Sequence, residues 1–204
     1  MKAACAVIVM AKAPAPGFAK TRLIPALGAA GAARIADLLL QRALIAALQA
    51  GLGPVDLCCA PDPQHPALDR HRHHPGLTLS SQGVGDLGER MSRAFDRWWP
   101  RAERVLLMGT DAPALDADRL RHAACALDAV DAVFVPALDG GYALVGLRRP
   151  APSVFEAVAW GTPQVMAQTR QRLAAAGLRH AELEALSDID EPCDLVHLPQ
   201  DWLR

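Results

Sequence analysis

A chain of 204 residues with 51% apolar and 21% charged side chains has the material for a buried core, which excludes disorder as its main state. Its 21 basic and 22 acidic residues leave a net charge of −1, so neither a nucleic-acid backbone nor an anionic bilayer is drawn to the molecule as a whole. The length exceeds one average domain and falls short of two, and no Ser/Gly-rich or charge-block linker divides it, so residues 1–204 read as one domain.

Apolar runs of strand length recur at residues 3–10, 55–60, 77–80, 105–108, 132–136 and 142–147, with segments of helical period between most of them. That alternation predicts an α/β fold with a mostly parallel central sheet. The first run resembles a short signal core, yet it passes straight into Lys12 and a Pro/Gly loop without a credible cleavage site, so it reads as a buried strand. It and the run at 105–108 are continuously apolar, which predicts burial on both faces and central places in the sheet. Ile35, Leu38, Leu39, Leu44, Ile45 and Leu48 form the apolar face of a long first helix, and Asp37, Gln41, Arg42 and Gln49 interrupt it too often for a membrane span. A second helix carries Leu87, Met91, Ala94, Phe95 and Trp98 on one face, and further helices are expected at 116–127 and 164–176.

Five cysteines without a Cys-x-x-Cys pair argue against a disulfide framework and against structural zinc, and the expected compartment is the cytoplasm. His65, His71, His73 and His74 lack a ligand-like spacing and read as an exposed loop. Trp98 or Trp99, if exposed, would mark a homodimer surface; core burial is expected for at least one of them.

In open α/β sheets the ligand crevice lies beyond the carboxyl ends of the strands. After the first strand, residues 11–23 combine Pro14 and Pro16 with Gly17, which permits a tight turn, and with the cations Lys12, Lys20 and Arg22. Such a loop suits an anion, because charge-assisted bonds gain most when their donors are held in place. It is not a Walker A loop, since Ala19 stands where the glycine before lysine belongs. Gly83-Val84-Gly85-Asp86-Leu87-Gly88 fits the G-x-G-x-x-G pattern of dinucleotide-binding domains, which keeps an NAD-dependent oxidoreductase as an alternative. Asp86 would set a carboxylate where the pyrophosphate belongs, however, and Asp86 with Glu89 has the spacing of a helix-capping box.

Asp111 follows the 105–108 strand and is a candidate ligand for magnesium, which takes one or two carboxylates and fills its remaining positions with water and phosphate. Asp188, Asp190 and Asp194 offer a second ligand, with Asp188 or Asp194 expected to cap a helix instead. Asp139 precedes Gly140-Gly141 and is placed to hold or deprotonate a hydroxyl; a plain hairpin turn would also account for the glycine pair.

Five blocks taken together resemble a known set: residues 11–23, Gly85-Asp86-Leu87-Gly88-Glu89-Arg90-Met91, Gly109-Thr110-Asp111-Ala112-Pro113, Asp139-Gly140-Gly141-Tyr142, and Asp188-Ile189-Asp190-Glu191-Pro192-Cys193-Asp194-Leu195. In order and over nearly the whole chain, they resemble the glycosyltransferase A-type family of radical-SAM-associated or arsenosugar-biosynthesis transferases, within the nucleotide-diphospho-sugar transferase superfamily. More distantly, Lys20-Thr21-Arg22-Leu23 resembles phospholactate guanylyltransferases and molybdenum-cofactor nucleotidyltransferases. The superfamily's Gly-x-Gly-x-Arg opening is absent.

The resemblance implies a Rossmann-like three-layer sandwich that binds Mg2+ or Mn2+ and a nucleotide. It implies metal positions at Asp111 and Asp190, and a nucleotide held by Lys12, Gly17, Lys20, Arg22, Gly85 and Arg90, with Asp111, Asp139 and Lys20 in catalysis. The activity so implied is glycosyl transfer from a nucleotide sugar to a small-molecule acceptor. The alternative is transfer of NMP from an NTP to a small phosphorylated acceptor; a silent nucleotide-binding domain is the remaining one.

Overall fold

The computed structural model describes residues 2–203. Seven strands form one sheet: β1 (Ala6–Lys12), β2 (Val55–Ala60), β3 (Leu77–Ser81), β4 (Val105–Met108), β5 (Ala132–Pro136), β6 (Tyr142–Leu147) and β7 (His180–Glu182). Their order is β3-β2-β1-β4-β6-β5-β7, so the two continuously apolar strands are central, as their composition predicts. Every neighbouring pair is parallel except those made by β6, which runs antiparallel to β4 and to β5. The turn joining β5 to β6 is therefore a hairpin, and it carries Asp139 and the glycine pair. The edge strand β7 has no counterpart among the apolar runs, because its three residues are polar or small and are placed only by pairing with β5.

Four helices cover the sheet: α1 (Ile24–Ala50), α2 (Leu87–Asp96), α3 (Ala117–Ala126) and α4 (Val165–Ala175). β1 shows the layering directly. Val7, Val9 and Ala11 face a core completed by Leu40, Leu44 and Ala47 of α1 and Leu120 and Ala123 of α3. The intervening Ala6, Ile8 and Met10 face Met91 and Phe95 of α2 and Met166 and Leu173 of α4. Successive strand side chains point to opposite faces, so an unbroken apolar strand requires helices on both. Residues 21–50 are long and apolar enough to cross a bilayer, but the inward stripe of α1 is spent on this core. The first turn of α1 meets its body at Gly28, whose φ of 70° and ψ of 166° break the helical path at a residue without a Cβ.

One expectation needs correction. His71 is not in an exposed loop: it is 2% exposed, and its Nε2 lies 2.7 Å from Asp37 Oδ1 of α1. That carboxylate also pairs with Arg70 at 2.5 Å, so the histidine-rich connection is tied onto α1. The expected core burial of at least one tryptophan is met: Trp98 is buried, and Trp99 packs partly buried with its ring stacked on Phe95 at 5.8 Å.

The cysteines divide sharply. Cys5, Cys58 and Cys59 are buried, and burial pushes the Cys5 thiol up to about 11 and that of Cys59 up to about 12. Cys125 and Cys193 are exposed. Because the thiolate is the reacting species, an aromatic disulfide reagent at neutral pH should titrate two thiols in the native protein and all five after denaturation. Fast reaction of a third thiol in the native state would contradict this packing.

Candidate active site

A cavity of about 400 Å³ opens at the carboxyl ends of β1 and β4. The connections from these strands run to opposite sides of β1, β2 lying on one side and β4 on the other, so the cavity sits at the switch point of the sheet. Lys12, Lys20, Arg90, Asp111, Asp139 and Asp190 all line it.

The centre is Lys20. Its side chain is 6% exposed, and its ammonium forms an ion pair with Asp111 Oδ1, lies 3.6 Å from Asp190 Oδ1, and donates to the Ile189 carbonyl at 2.5 Å. Its backbone is left-handed, with φ 50° and ψ 42°, a conformation that costs a residue with a Cβ on the order of 1 kcal/mol and is imposed by the surrounding contacts. Arg22 Nη1 donates to Asp190 Oδ2 at 2.5 Å, so that carboxylate is shared by two cations.

Ile189 explains how two distant segments meet. It is fully buried in a cluster with Leu23, Ile35 and Leu39, against which the C-terminal 3-10 helices also pack. Its N–H donates to the Asp111 carbonyl at 2.8 Å. With the side chain between them anchored inward, Asp188 and Asp190 are held at the cavity. Asp194 is the capping residue: its Oδ2 accepts from the N–H groups of Asp190 at 3.0 Å and Glu191 at 2.7 Å. Asp188 does not cap. Its carboxyl is held above the usual carboxylate range, chiefly by burial and then by the negative charge of Asp139, with Asp111 and Asp190 adding to it. Asp139 Oδ1 accepts from the Gly141 N–H at 2.8 Å, which fixes the carboxylate within the hairpin.

Gly17 and Gly85 lie outside the cavity lining, as does Arg22, which reaches the site through Asp190. Gly17 shapes its loop with φ 76°. Gly85 serves α2 instead: its carbonyl accepts from Arg90 Nε at 2.9 Å, which orients a cation that does line the cavity. The capping box is present, with Asp86 Oδ1 accepting from Glu89 N–H and Glu89 Oε2 from Asp86 N–H, both at 2.9 Å. Two carboxylates therefore fill the N-terminus of α2, where a dinucleotide's pyrophosphate would have to sit. The remaining lining includes Gln82, Met91, Tyr142, Trp160 and Thr162, none of which the motifs single out as functional.

Among the described residues, no three His, Cys, Asp or Glu side chains converge as a preformed metal cage. Asp111 and Asp190 do reach a common cation, the Lys20 ammonium. Two carboxylates on one cation beside open ligand space match magnesium or manganese, which draw their other ligands from water and phosphate.

Residues 43–162 match the model of the family described as "Uncharacterized protein conserved in bacteria (DUF2064)". The chain belongs to this family. No curated protein matches this DUF2064 member. Its structure is similar to that of a Desulfovibrio desulfuricans G20 protein provisionally named a nucleotide-diphospho-sugar transferase, with a TM-score of 0.86 and 30% identity over 96% of this chain and 87% of that one. That likeness and the family match support the superfamily expected from the motifs. At lower identity the fold alone is shared. An inositol-1-phosphate CTP transferase from T. maritima gives a TM-score of 0.64 at 14% identity, covering 98% of this chain and 94% of that one. Rv0371c of Mycobacterium tuberculosis H37Rv, in complex with manganese, gives 0.58 at 18% identity, covering 100% and 99%. The α/β sandwich of this DUF2064 member is thus one that transferases use.

Proposed function

We propose that the protein is a metal-dependent glycosyltransferase that moves the sugar of a nucleotide donor to a small-molecule acceptor. The observation that carries this reading is the convergence of Asp111 and Asp190 on one cation at the switch point of the sheet, beside Lys12 and Arg90. The likeness to the provisionally named nucleotide-diphospho-sugar transferase supports the glycosyl label, and the motif resemblance supports the radical-SAM-associated group within it.

Asp111 and Asp190 would hold a magnesium or manganese ion. Such an ion supplies neutralisation of the charge that builds on the leaving phosphates. Lys20 stands beside the two carboxylates and is placed to bind phosphate oxygens once its ammonium is no longer needed as their counter-charge, and Lys12 lines the same cavity. Arg90, held by the Gly85 carbonyl, adds a third cation. The fixed carboxylate of Asp139 also lines the cavity and is placed to accept the proton of an acceptor hydroxyl. The rate gain assigned to the chain is positioning and electrostatics.

Nucleotidyl transfer is the second reading. It is favoured by the number of cations, which suits a triphosphate, and by the fold shared with a CTP transferase. The two reactions release different products. With acceptor pools, magnesium and each donor, release of nucleoside diphosphate from a nucleotide sugar supports glycosyl transfer. Release of pyrophosphate from a nucleoside triphosphate supports the second reading, and neither product under any donor overturns both.

A further inference from the structure

We propose that the acceptor is an uncharged alcohol with an apolar body, seated on a hydrocarbon wall formed by Trp160, Tyr142, Met91 and Leu87. The proposal rests on the glycosyl-transfer reading above. The cavity has two unlike sides. Leu23 and Ile189, which belong to the segments carrying Lys20 and Asp190, pack in the cluster under α1, so the charged centre enters from that face of the sheet. Met91 belongs to the core under α2 and α4, with Tyr142 and Trp160 packed against it, so the wall enters from the other face. Leu87 continues the wall one turn before Met91 on α2 and is 43% exposed.

The polar atoms of this wall are turned away from the ligand space. Trp160 is partly exposed and lines the cavity, but its Nε1 is enclosed against α2, where a Cβ on Gly88 would stand 2.9 Å from it, and among the described residues it has no acceptor. What the indole shows the cavity is therefore ring carbon. The Tyr142 ring meets Trp160 edge-on with centroids 6.4 Å apart, and its hydroxyl runs into the core 4.0 Å from Met91 Sδ, where burial raises its pKa. Thr162 Oγ1 is spent within its own turn, donating to the Ala159 carbonyl at 2.7 Å. Such a wall gives a ligand hydroxyl nothing in exchange for lost water, whereas it favours hydrocarbon.

One polar group stands beside the wall. Asp139 precedes Tyr142 by three residues, and the Gly140 carbonyl between them accepts from Met166 N–H at 2.9 Å, which joins the hairpin to the start of α4. Asp139 Oδ1 accepts from Gly141 N–H, which leaves Oδ2 for the hydroxyl of the acceptor. With Lys12, Lys20 and Arg90 committed to donor phosphates, the carboxylates of Asp139 and Asp188 repel a phosphorylated acceptor. In the transfer, the alcohol oxygen bonds to the anomeric carbon, its proton passes to Asp139, and the nucleoside diphosphate leaves with the electrons of the broken carbon–oxygen bond.

The test titrates the full chain in magnesium, first with a panel of nucleotide sugars and nucleoside diphosphates, then with 2-phenylethanol, glycerol and glycerol 3-phosphate, reading each alcohol's affinity by ligand-observed NMR. The expected result is 2-phenylethanol binding about tenfold tighter than glycerol, with glycerol 3-phosphate no tighter than glycerol. Trp160→Ala should weaken 2-phenylethanol by about tenfold and leave glycerol and the nucleotide sugar as they were, while Trp160→Phe keeps most of the preference. Because Trp160 also packs on Gly88, Leu87→Ser at the exposed end of the wall decides in its place if Trp160→Ala does not fold, and it should lower the same preference. Equal affinity for the two uncharged alcohols, tighter binding of glycerol 3-phosphate, or a preference unmoved by the substitutions overturns the acceptor assignment and leaves the donor site standing. So does a Trp160→Ala variant that loses affinity for the nucleotide sugar but not for its nucleoside diphosphate, since the wall would then hold the donor's sugar. Failure of every nucleotide to bind overturns the donor reading and this proposal with it.

Discussion

Asp111→Ala is expected to lower turnover by about 10³-fold, on the scale of the several kcal/mol by which a metal ligand set stabilises transition-state charge. The fold should survive. The Asp111 side chain is half exposed, so its ion pair with Lys20 contributes less than about 1 kcal/mol after solvent screening. Lys20 also keeps Asp190 and the Ile189 carbonyl as partners. Ile189 is bonded to the main chain of Asp111, which the substitution leaves in place. Turnover should be measured beside a thermal melt: a folded variant with near wild-type turnover would remove Asp111 from the site.

The second large effect is on stability, at Gly140. Its φ of 93° lies where a residue with a Cβ is strained, and an added Cβ would stand 2.3 Å from the Pro163 carbonyl oxygen and 2.7 Å from its Cα. Neither side can yield cheaply. Gly140 donates to the Ala137 carbonyl at 3.1 Å within the hairpin and accepts from Met166 N–H at 2.9 Å at the start of α4. Gly140→Ala should therefore destabilise the protein by about 2–4 kcal/mol, combining backbone strain with overpacking. Asp139 sits one residue earlier, and Thr162 of the displaced segment lines the cavity, so activity should fall with stability. Equilibrium denaturation with urea is the check, and a variant as stable as wild type would contradict the close approach at Pro163.

The fold was legible wherever burial alone decides structure. Period and length suffice for the six longer strands and the four helices, and unbroken apolar character places β1 and β4 at the centre. β7 is different, since polar residues His180 and Glu182 become strand only by pairing with β5. His71 fails for a related reason: a histidine surrounded by Pro and Arg carries no local sign that Asp37, 34 positions earlier, will bury it.

In the site, Lys20 and Asp111 were legible because each follows a strand, and strand ends set the crevice. Their direct pairing was not, because it depends on the turn that the 11–23 loop makes before α1. Asp188 and Asp194 could not be told apart by spacing: what separates them is Ile189, whose burial holds Asp188 at the cavity while Asp194 turns back to cap its own segment.

The central claim is that one site takes a nucleotide and a divalent ion together. The most direct measurement is a thermal-shift panel of nucleotide sugars, nucleoside triphosphates and NADH, each with magnesium and with EDTA, on the wild type and on Asp190→Asn. A ligand at 100 times its Kd should raise wild-type stability by about 2.7 kcal/mol. The account predicts that rise for a nucleotide donor in magnesium, its loss in EDTA, and its loss in Asp190→Asn. Equal protection in EDTA, or protection by NADH alone, would contradict it.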